Sequence, residues 1–584
     1  MKYYIKTLTP LHIGNLHIGN GEEELSSLDY VLHQNKFYRI SQQKFLEFLN
    51  KNKINLDDYS KWIVETTEKI NDINDLENER RRNRNNFGKD KNQQLSELKK
   101  NFNLLNFSKS VKKESEFINY LKTLNGISFE GIIKQKVRGF IKNGNNEPYI
   151  PGTSIKGAIR SALLYDYLSK HAKVDEIKNI LEKSIKKIDR KKLNESKKEF
   201  ANELENEAFY CKYSKVNNEI TNDEKYDILK FLIVSDGKVI SDNPLTLENI
   251  DLYLVKKDRN GTFADVQKQT PTVEAVKENS IIEFELDFNI DYLLSIKKNL
   301  NDKGYLEVKI GQNIEKQWIG IKEKVKNIFD LDIDNLNENN KDEFKKNAIE
   351  SIIKKINNFS KKQIEWDQKW LNDITQKNSK SKFNNSHIEQ GFNKVKGNAL
   401  IHFGFGSGYT GITEFLYFLE NNELKMLFKR VMDKFLIGDK PGTQKNRKNG
   451  ESYSSNPDNF PKSKRLVTRK NEILPLGWAI ITDTLDSNIA QTAVNEEKVE
   501  QKPIEPQYFK GKLKQGTDGI FAKVIKSGKP NKVKLFIEGI EDKEFTLLGY
   551  SSEIEEGKII YVKINQMNKK GEILQVGFDK FLSQ

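Results

Sequence analysis

Short segments with β-strand alternation are interspersed along this chain of 584 residues with long, charged segments of helical spacing. Their order is irregular, without the βαβ alternation of a doubly wound sheet and without the repeat period of a solenoid. Glycine-rich loops follow several of the strands. This pattern predicts an α+β protein, and the length predicts several structural units.

The C-terminal residues 508–584 contain about five short alternating strands separated by glycine turns, which is typical of a small β-barrel of the OB or cold-shock kind. Phe521, Phe536 and Tyr561 either stack bases on such a barrel or fill its core. The preceding residues 486–507 have few large apolar side chains. We predict that they form a linker.

The charge balance favours a polyanionic partner. Lys and Arg number 98 against 84 Asp and Glu, which gives a net charge of +14, and such a surplus suits nucleic acid. A single cysteine, Cys211, excludes an internal disulfide and a cysteine-rich zinc site. No apolar run of about 18 residues and no signal-peptide pattern is present, so we expect a cytoplasmic protein.

The stretch YIPGTSIKGAIRSALLYDYL, Tyr149–Leu168, predicts a helix after the Pro-Gly turn, capped by Thr153 or Ser154. The first amides of a helix are unpaired and favour an anion. Lys156 and Arg160 lie one helical turn apart, so both can contact one phosphate or two adjacent ones. An ordinary capped helix with two solvated cations is the alternative.

A second glycine-rich motif, GFGSGYTG, lies between a predicted strand and a predicted helix, and its candidate residues are Gly404, Gly406, Ser407, Gly408 and Gly411. Such a loop can present backbone amides to a phosphate chain. Its spacing fits GxGxxG, but no second strand with a trailing acid completes a dinucleotide site. A loop that merely requires residues of positive φ is the alternative.

Candidates for catalysis are few. His12 and His17 form the only closely spaced histidine pair and are candidates for general acid-base chemistry on RNA. Asp29 and Asp236 are single acidic candidates, each of which can equally form a turn. No metal or cofactor motif is complete, so we expect no metal ion, no cofactor and no catalytic residue.

Five motifs, LTPLHIGN, PYIPGTSIKGAIRSALL, FLIVSDG, HFGFGSGYTG and LPLGWAII, occur in this order. Together they resemble the RAMP superfamily of CRISPR proteins, and within it the Csm subunits that cap the crRNA 3′ end in type III-A effectors. The resemblance spans most of residues 1–485 and implies a tandem pair of ferredoxin-like (RRM-type) units.

The resemblance also implies how the chain is divided. We expect a first ferredoxin-like unit and a second unit that carries the Gly-rich loop, separated by a helical insertion. The segments are 1–290 with helical insertions near 53–125 and 174–206, the insertion 291–394 and the second unit 395–485. The linker 486–507 and the barrel 508–584 follow from composition and strand pattern and lie beyond the resemblance.

The implied function is a non-catalytic crRNA-binding subunit that supports crRNA maturation in antiviral defence. Its implied partners are crRNA, target RNA, the backbone RAMP proteins and host nucleases. The RNA backbone would be held by Thr153, Ser154, Lys156 and Arg160, by the loop Gly404–Gly411, and by Arg138. The alternatives are a RAMP endoribonuclease that processes crRNA or cleaves target RNA, and an adaptor that recruits a nuclease through the barrel.

Overall fold

The structure, a computed structural model, divides into two units, Met1–Ala493 and Val494–Gln584. It describes all residues except 15, 18–20, 23, 83–96, 99–100, 130, 132, 134–136, 189–195, 197–201, 215–219, 259–260, 268–270, 312, 377–384, 413, 436–460, 462, 486–507, 510, 512, 529, 549–553, 555, 569–570 and 582–584. The predicted linker at 486–507 therefore lies outside the described residues.

Strands of the first unit are short, apart from β14. They are β1 (Lys2–Thr7), β2 (Leu16–His17), β3 (Gly21–Glu22), β4 (Glu24–Leu25), β5 (Tyr30–His33), β6 (Lys36–Arg39), β7 (Ile127–Ser128), β8 (Val137–Arg138), β9 (Tyr149–Ile150), β10 (Tyr210–Ser214), β11 (Ile220–Asp227), β12 (Leu232–Val234), β13 (Gly237–Val239), β14 (Leu245–Asp258), β15 (Gly261–Gln267), β16 (Thr272–Val276), β17 (Ile281–Phe288), β18 (Leu306–Ile310), β19 (Asn313–Ile319), β20 (Leu400–His402), β21 (Ser463–Thr468), β22 (Ile473–Leu474) and β23 (Trp478–Thr482).

Helices of the first unit occupy the charged segments between these strands. They are α1 (Gln42–Lys51), α2 (Leu56–Arg82), α3 (Leu104–Ser110), α4 (Glu114–Lys122), α5 (Gly152–Lys170), α6 (Val174–Lys187), α7 (Asn202–Phe209), α8 (Ile290–Lys298), α9 (Ile321–Phe329), α10 (Lys341–Gln376), α11 (Asn385–Asn393), α12 (Gly408–Ile412), α13 (Phe415–Glu420) and α14 (Asn422–Lys434). None of the helices in the described part of the chain is long and apolar enough to cross a membrane.

The first sheet has β1 at its centre, in the order β20-β23-β1-β17-β13-β9, and β12 also pairs with β17. Ile5 of β1 lies opposite Ile282 and Ile481 on its two antiparallel neighbours. These side chains are buried in one core cluster with Ile155 and Ile159 of α5. Because β20 and β23 belong to this sheet, the segments predicted as two separate units share one set of backbone hydrogen bonds.

The second sheet has the order β22-β21-β14-β16-β8-β4, and β15 pairs with β14. The stretch VEAVKENSIIEFELDFNI, residues 273–290, predicts a pair of strands, and both are present, as β16 and β17. They do not form a hairpin, because β16 pairs with β14 and β8 while β17 pairs with β1. The short connection, with Asn279 at a φ of 62°, instead carries the chain from one sheet to the other.

The segment 291–394, predicted to be helical, contains the hairpin β18–β19 besides α8 to α11. This hairpin extends a smaller sheet of order β11-β10-β19-β18. Val308, Ile310 and Ile314 of the hairpin are exposed. The strand β18, LEVKI, does alternate apolar and polar residues, but it is short and lies within a charged segment of mainly helical spacing, so the whole segment was interpreted as helical.

Near the N-terminus, LDYVLHQNKFYRI predicts a hairpin with a tight Gln-Asn turn and SQQKFLEFLNKN predicts a helix capped by Ser41, and both predictions are confirmed. The hairpin β5–β6 turns at Gln34 and Asn35, both of which have positive φ, as a tight two-residue turn requires. Helix α1 begins after Ser41, whose side chain accepts a hydrogen bond from the backbone N–H of Lys44.

The second unit contains a closed five-stranded barrel, as the glycine-separated strands predict. Its strands are β24 (Ile520–Lys526), β25 (Lys532–Leu535), β26 (Glu544–Leu548), β27 (Ile559–Met567) and β28 (Ile573–Phe581). They follow the order β24-β25-β26-β28-β27 around the barrel, and β27 pairs with β24 to close it. Alternate residues of β24, namely Ile520, Ala522 and Val524, are fully buried in its core.

Candidate nucleic-acid interface

Helix α5 begins at Gly152, within the Pro-Gly turn, with Pro151 at the N-cap position and no side-chain cap, so the predicted cap by Thr153 or Ser154 is wrong. The protein itself supplies the anion at the start of this helix. The backbone N–H of Gly152 donates to Oδ1 of Asp236 at 2.7 Å. A Cβ on Gly152 would lie 2.5 Å from the carbonyl oxygen of Val234, so only glycine allows the helix to approach this strand. Asp236 is therefore a capping residue, as expected for a turn-forming acid.

Both predicted cations of α5 are engaged within the protein. Lys156 is half-buried and its Nζ donates to the carbonyl oxygen of Leu232 at 2.7 Å. Burial lowers the pKa of Lys156, while Asp227 acts in the opposite direction. Arg160 donates through Nε and a terminal nitrogen to Glu205, and it pairs with Asp227. The two side chains thus tie α5 to α7 and to the segment preceding β12.

The exposed side of the helix start is small and uncharged. Thr153 and Gly157 are exposed one turn apart, and Ser154 lies partly exposed beside them. No heavy atom lies within 4 Å of a Cβ placed on Gly157. This surface offers hydroxyl groups and room for a close approach.

The Gly-rich loop connects β20 to α12. Gly404, Gly406 and Gly408 have φ values of 80°, 100° and 63°, so the requirement for residues of positive φ is confirmed. Ser407 is buried and its hydroxyl donates to the carbonyl oxygen of Gly404 at 2.9 Å. Gly411 is buried too, and a Cβ there would lie 3.0 Å from the Cβ of Ser407.

The two glycine motifs meet in space, because α12 packs against α5. The loop also contacts the segments around two further motifs. The N–H of Phe405 donates to the carbonyl oxygen of His12 at 2.8 Å, and that of Gly477 donates to Pro10 at 2.9 Å. The N–H of Phe403 donates to Gly477 at 3.0 Å. LTPLHIGN, HFGFGSG and LPLGW therefore converge, although they are distant in sequence.

Two arginines flank the aromatic residue of the Gly-rich loop. The guanidinium carbons of Arg138, on β8, and Arg465, on β21, lie 5.5 Å and 5.3 Å from the ring centroid of Phe405. Phe405 is partly exposed and Arg465 is exposed. Cations at these distances are attracted by the face of the ring, and guanidinium groups also suit phosphate.

Of this arginine–phenylalanine cluster, Arg138, Phe405 and Arg465, only Arg138 was a candidate from the sequence. No alternation marks Arg465 as an outward residue, since SKRLVT has three polar residues followed by two consecutive buried ones, Leu466 and Val467. Its proximity to the Gly-rich loop was not detectable, because β21 is linked to the loop only through the fold.

Candidates for catalysis are placed in structural roles. His12 is fully buried, its Nδ1 lies 2.6 Å from the carbonyl oxygen of Glu274, and its ring contacts Phe140 and Phe405 edge-on. Asp29 accepts a hydrogen bond from the N–H of Ser26 in a turn. The side chain of His17 lies outside the described residues. Among the residues that are described, no three His, Cys, Asp or Glu side chains form a cluster suited to a metal ion.

Buried His402 makes the free energy of unfolding depend on pH. Burial, with Lys464 nearby, lowers its pKa from 6.5 to about 3, while its Nε2–H donates to the carbonyl oxygen of Leu476 at 3.0 Å. The ring stacks on Trp478 at 4.1 Å between centroids. Below pH 6.5 His402 is protonated in the unfolded chain but stays neutral in the folded chain. The free energy of unfolding therefore falls with decreasing pH.

We expect the protonation of His402 in the unfolded chain to lower the free energy of unfolding by about 1.4 kcal/mol from pH 7.5 to pH 5.5. Urea unfolding at the two pH values measures the difference. The variant His402→Gln retains an amide donor for Leu476 but has no titrating group. Its free energy of unfolding should therefore fall by about 1.4 kcal/mol less than that of the wild type between pH 7.5 and pH 5.5. An equal loss in both proteins would exclude His402 as the source.

Comparison with known proteins identifies the family. A family model described as the RAMP superfamily matches residues 4–414, which is more than half of the chain. A curated relative from Methanocaldococcus jannaschii, described as "CRISPR system Cms protein Csm5", is 27% identical over 358 residues. This match covers 60% of the present chain and 66% of the relative, just under two thirds of its length.

Two solved structures are similar at 17% identity. A chain of "Cryo-EM structure of Csm-crRNA-target RNA ternary complex in type III-A CRISPR-Cas system" is matched over 82% of the present chain and 100% of its own length, with a TM-score of 0.46. The "Crystal structure of T.onnurineus Csm5" is matched over 82% and 99%, with a TM-score of 0.44. The extent of the family match decides membership: the chain belongs to the RAMP superfamily.

Proposed function

We propose that this chain is a crRNA-binding subunit of a type III-A Csm effector, that it caps the 3′ end of the guide and that it supports crRNA maturation without being a nuclease. Membership of the RAMP superfamily, the similarity to a Csm5 protein and a net charge of +14 support this proposal. Its partners would be crRNA, target RNA and the other effector subunits, with host nucleases trimming the guide.

One observation carries the proposal, namely the arginine–phenylalanine cluster on the Gly-rich loop. Two guanidinium groups held beside an aromatic ring can contact adjacent phosphates, and their planes can stack on unpaired bases. The cluster contains no group arranged to read the edge of a base. It therefore suits a guide whose sequence varies, since contacts to phosphate carry no sequence information.

The start of α5 would form the edge of the same interface, with Thr153 and Ser154 facing the RNA. Lys156 and Arg160 belong to the proposed set, but an RNA phosphate must compete with their internal partners. These are the carbonyl oxygen of Leu232 for Lys156 and two carboxylates for Arg160. We therefore expect Arg138 and Arg465 to contribute more to RNA affinity than the two cations of α5.

A ferredoxin-like core is supported by the order of strands in the first sheet. In a βαββαβ unit the third strand lies between the first and second, and the fourth lies on the other side of the first. Strands β1, β13, β17 and β23 have this arrangement, with α5 preceding β13 and α10 following β17. This core would combine the N-terminal segment with the stretch predicted as a second unit.

The burial of His12 favours a binding protein over a RAMP ribonuclease that uses this histidine. A general acid or base must reach the proton that it transfers, and the imidazole of His12 is fully buried. Its position between Phe140 and Phe405 suits support of the Gly-rich loop.

Replacing Arg465 by Ala tests the proposal. We expect weaker binding of guide RNA and a decrease of about one in the slope of log affinity against log salt, because one phosphate contact is lost. Fluorescence anisotropy with labelled RNA at several salt concentrations measures both. The control is Arg430→Ala, since Arg430 is an exposed arginine on α14 whose carboxylate partner, Glu182, is 3.8 Å away.

The same samples test the absence of nuclease activity. RNA recovered after incubation with and without Mg²⁺ should be full length in the wild type. If Arg465→Ala and Arg430→Ala lower the slope equally, the arginine–phenylalanine cluster is not the RNA site. If the wild type cleaves the RNA, the chain is a ribonuclease and the binding role must be revised.

A further inference from the structure

A row of aromatic side chains lies on the outer face of the C-terminal barrel. Along β24, Ile520, Ala522 and Val524 point into the core, so Phe521 and Lys523 between them point outward. The same alternation places Tyr561 and Lys563 on the outer face of β27. The sequence left open whether the aromatic residues of this region lie in the core or on the surface. In the structure Phe521 and Tyr561 lie on the surface of the barrel.

The row crosses three neighbouring strands. Phe521 and Tyr561 are directly opposite each other on β24 and β27, with ring centroids 4.6 Å apart. Phe536, next to β25, donates its N–H to the carbonyl oxygen of Phe521 at 2.9 Å. Tyr508 extends the row, with its ring 5.8 Å from that of Phe536. We call these four residues the aromatic row; Tyr508 is exposed and the others are partly exposed.

Lysines flank the aromatic row on the same face. Lys523 and Lys563 each lie two residues beyond an aromatic member of the row, and both are exposed. Neither has a carboxylate partner among the ion pairs of the described residues, whereas Lys532 and Lys534 pair with Glu544 and Asp542. The stretch 508–584 as a whole contains 14 lysines, no arginine and 10 acidic residues.

We propose that the aromatic row is a second binding surface, which holds a single strand of nucleic acid by stacking its bases, with phosphates near Lys523 and Lys563. Every base has a π face, so stacking on such a platform tolerates any sequence. The flanking lysines favour this occupant over an apolar protein surface, because a protein would have to bury or displace the two cations. The surface lies outside the residues that the family model matches, 4–414, and does not depend on the proposed function of the first unit.

Alanine variants of the full-length chain test this inference. We expect Phe521→Ala and Tyr561→Ala each to weaken the binding of a fluorescein-labelled oligouridine by about fivefold or more at low salt. The measurement is made in an Arg465→Ala background, so that the arginine–phenylalanine cluster contributes little. The matched control is Leu574→Ala, which removes an exposed apolar side chain from β28 and should leave affinity unchanged.

Three further readouts separate the possible outcomes. Phe521→Tyr should restore binding, because the ring is retained. Ultraviolet cross-linking followed by mass spectrometry should place the oligonucleotide on peptides that contain Phe521 or Tyr561. A parallel series with oligodeoxythymidine tells RNA from single-stranded DNA, and a loss with either probe supports the proposal. Unchanged affinity for both probes in Phe521→Ala and Tyr561→Ala, or an equal loss in Leu574→Ala, would overturn it and leave the row as a protein-docking surface.

Discussion

Replacing Glu274 by Gln is expected to lower the free energy of unfolding of the first unit by about 3–5 kcal/mol. The carboxylate of Glu274 is fully buried and joins three segments of the chain. It pairs with Arg39 at 2.6 Å and with Lys142 at 3.4 Å, and it accepts the N–H of Phe140 at 3.0 Å. Gln keeps an acceptor for Phe140 but removes the buried negative charge that pairs with both Arg39 and Lys142.

The matched control is Glu350→Gln, which removes the charge of an exposed glutamate 3.7 Å from Lys346. Exposed pairs contribute about 0–1 kcal/mol, so this variant should unfold close to the wild type. Chemical unfolding monitored by tryptophan fluorescence compares the two. If Glu274→Gln loses less than about 1 kcal/mol, its carboxylate does not hold the segments of Arg39 and Lys142 together.

The backbone next to this carboxylate links it to the proposed RNA site. The carbonyl oxygen of Glu274 lies 2.6 Å from Nδ1 of His12, and the carbonyl oxygen of His12 accepts the N–H of Phe405. A disturbance at Glu274 should therefore reach the arginine–phenylalanine cluster. Glu274 lies on β16, in the centre of the second sheet, where a charged residue is rare unless it is paired.

Features that depend on neighbours in sequence were predictable. The hairpin turn at Gln34 and Asn35, the Ser41 cap and the start of α5 at the Pro-Gly turn follow from residue preferences over a few positions. The closed barrel follows from the regular spacing of its glycine turns. The positive φ at Gly404, Gly406 and Gly408 follows from the residue type.

Features that depend on distant segments were not predictable. Lys156 and Arg160 were expected to face an anion, but their partners lie 45 to 76 residues further along the chain. Arg465 reaches Phe405 only because Phe405 packs against a core cluster of the second sheet that includes Val467 of β21. The hairpin β18–β19 escaped detection because its alternating stretch, LEVKI, is short and lies within a charged segment of mainly helical spacing. At the start of α5 and in the Gly-rich loop, sequence motifs therefore predicted the backbone conformation, while tertiary contacts decided the role of the side chains.

Gly477→Ala should lower stability and RNA affinity together, because it acts at the junction of the three converging loops. Gly477 has a φ of 77°, and a Cβ there would lie 2.1 Å from the carbonyl oxygen of Phe403. Backbone strain of roughly 1–2 kcal/mol would add to about 1–3 kcal/mol of overpacking. Relief of the overlap requires the Gly-rich loop to shift, and Phe405 would move away from its two arginines.

Gly311→Ala is the matched control for backbone strain, since Gly311, at the turn of the hairpin β18–β19, also has positive φ, 63°, but its Cβ would meet no atom within 4 Å. It should cost only the roughly 1–2 kcal/mol of strain. Thermal unfolding of both variants and anisotropy with guide RNA measure the contrast. Equal melting temperatures would mean that the loops do not meet tightly at Gly477. A Gly477→Ala protein that is clearly less stable but binds RNA normally would show that the position of Phe405 does not control the affinity.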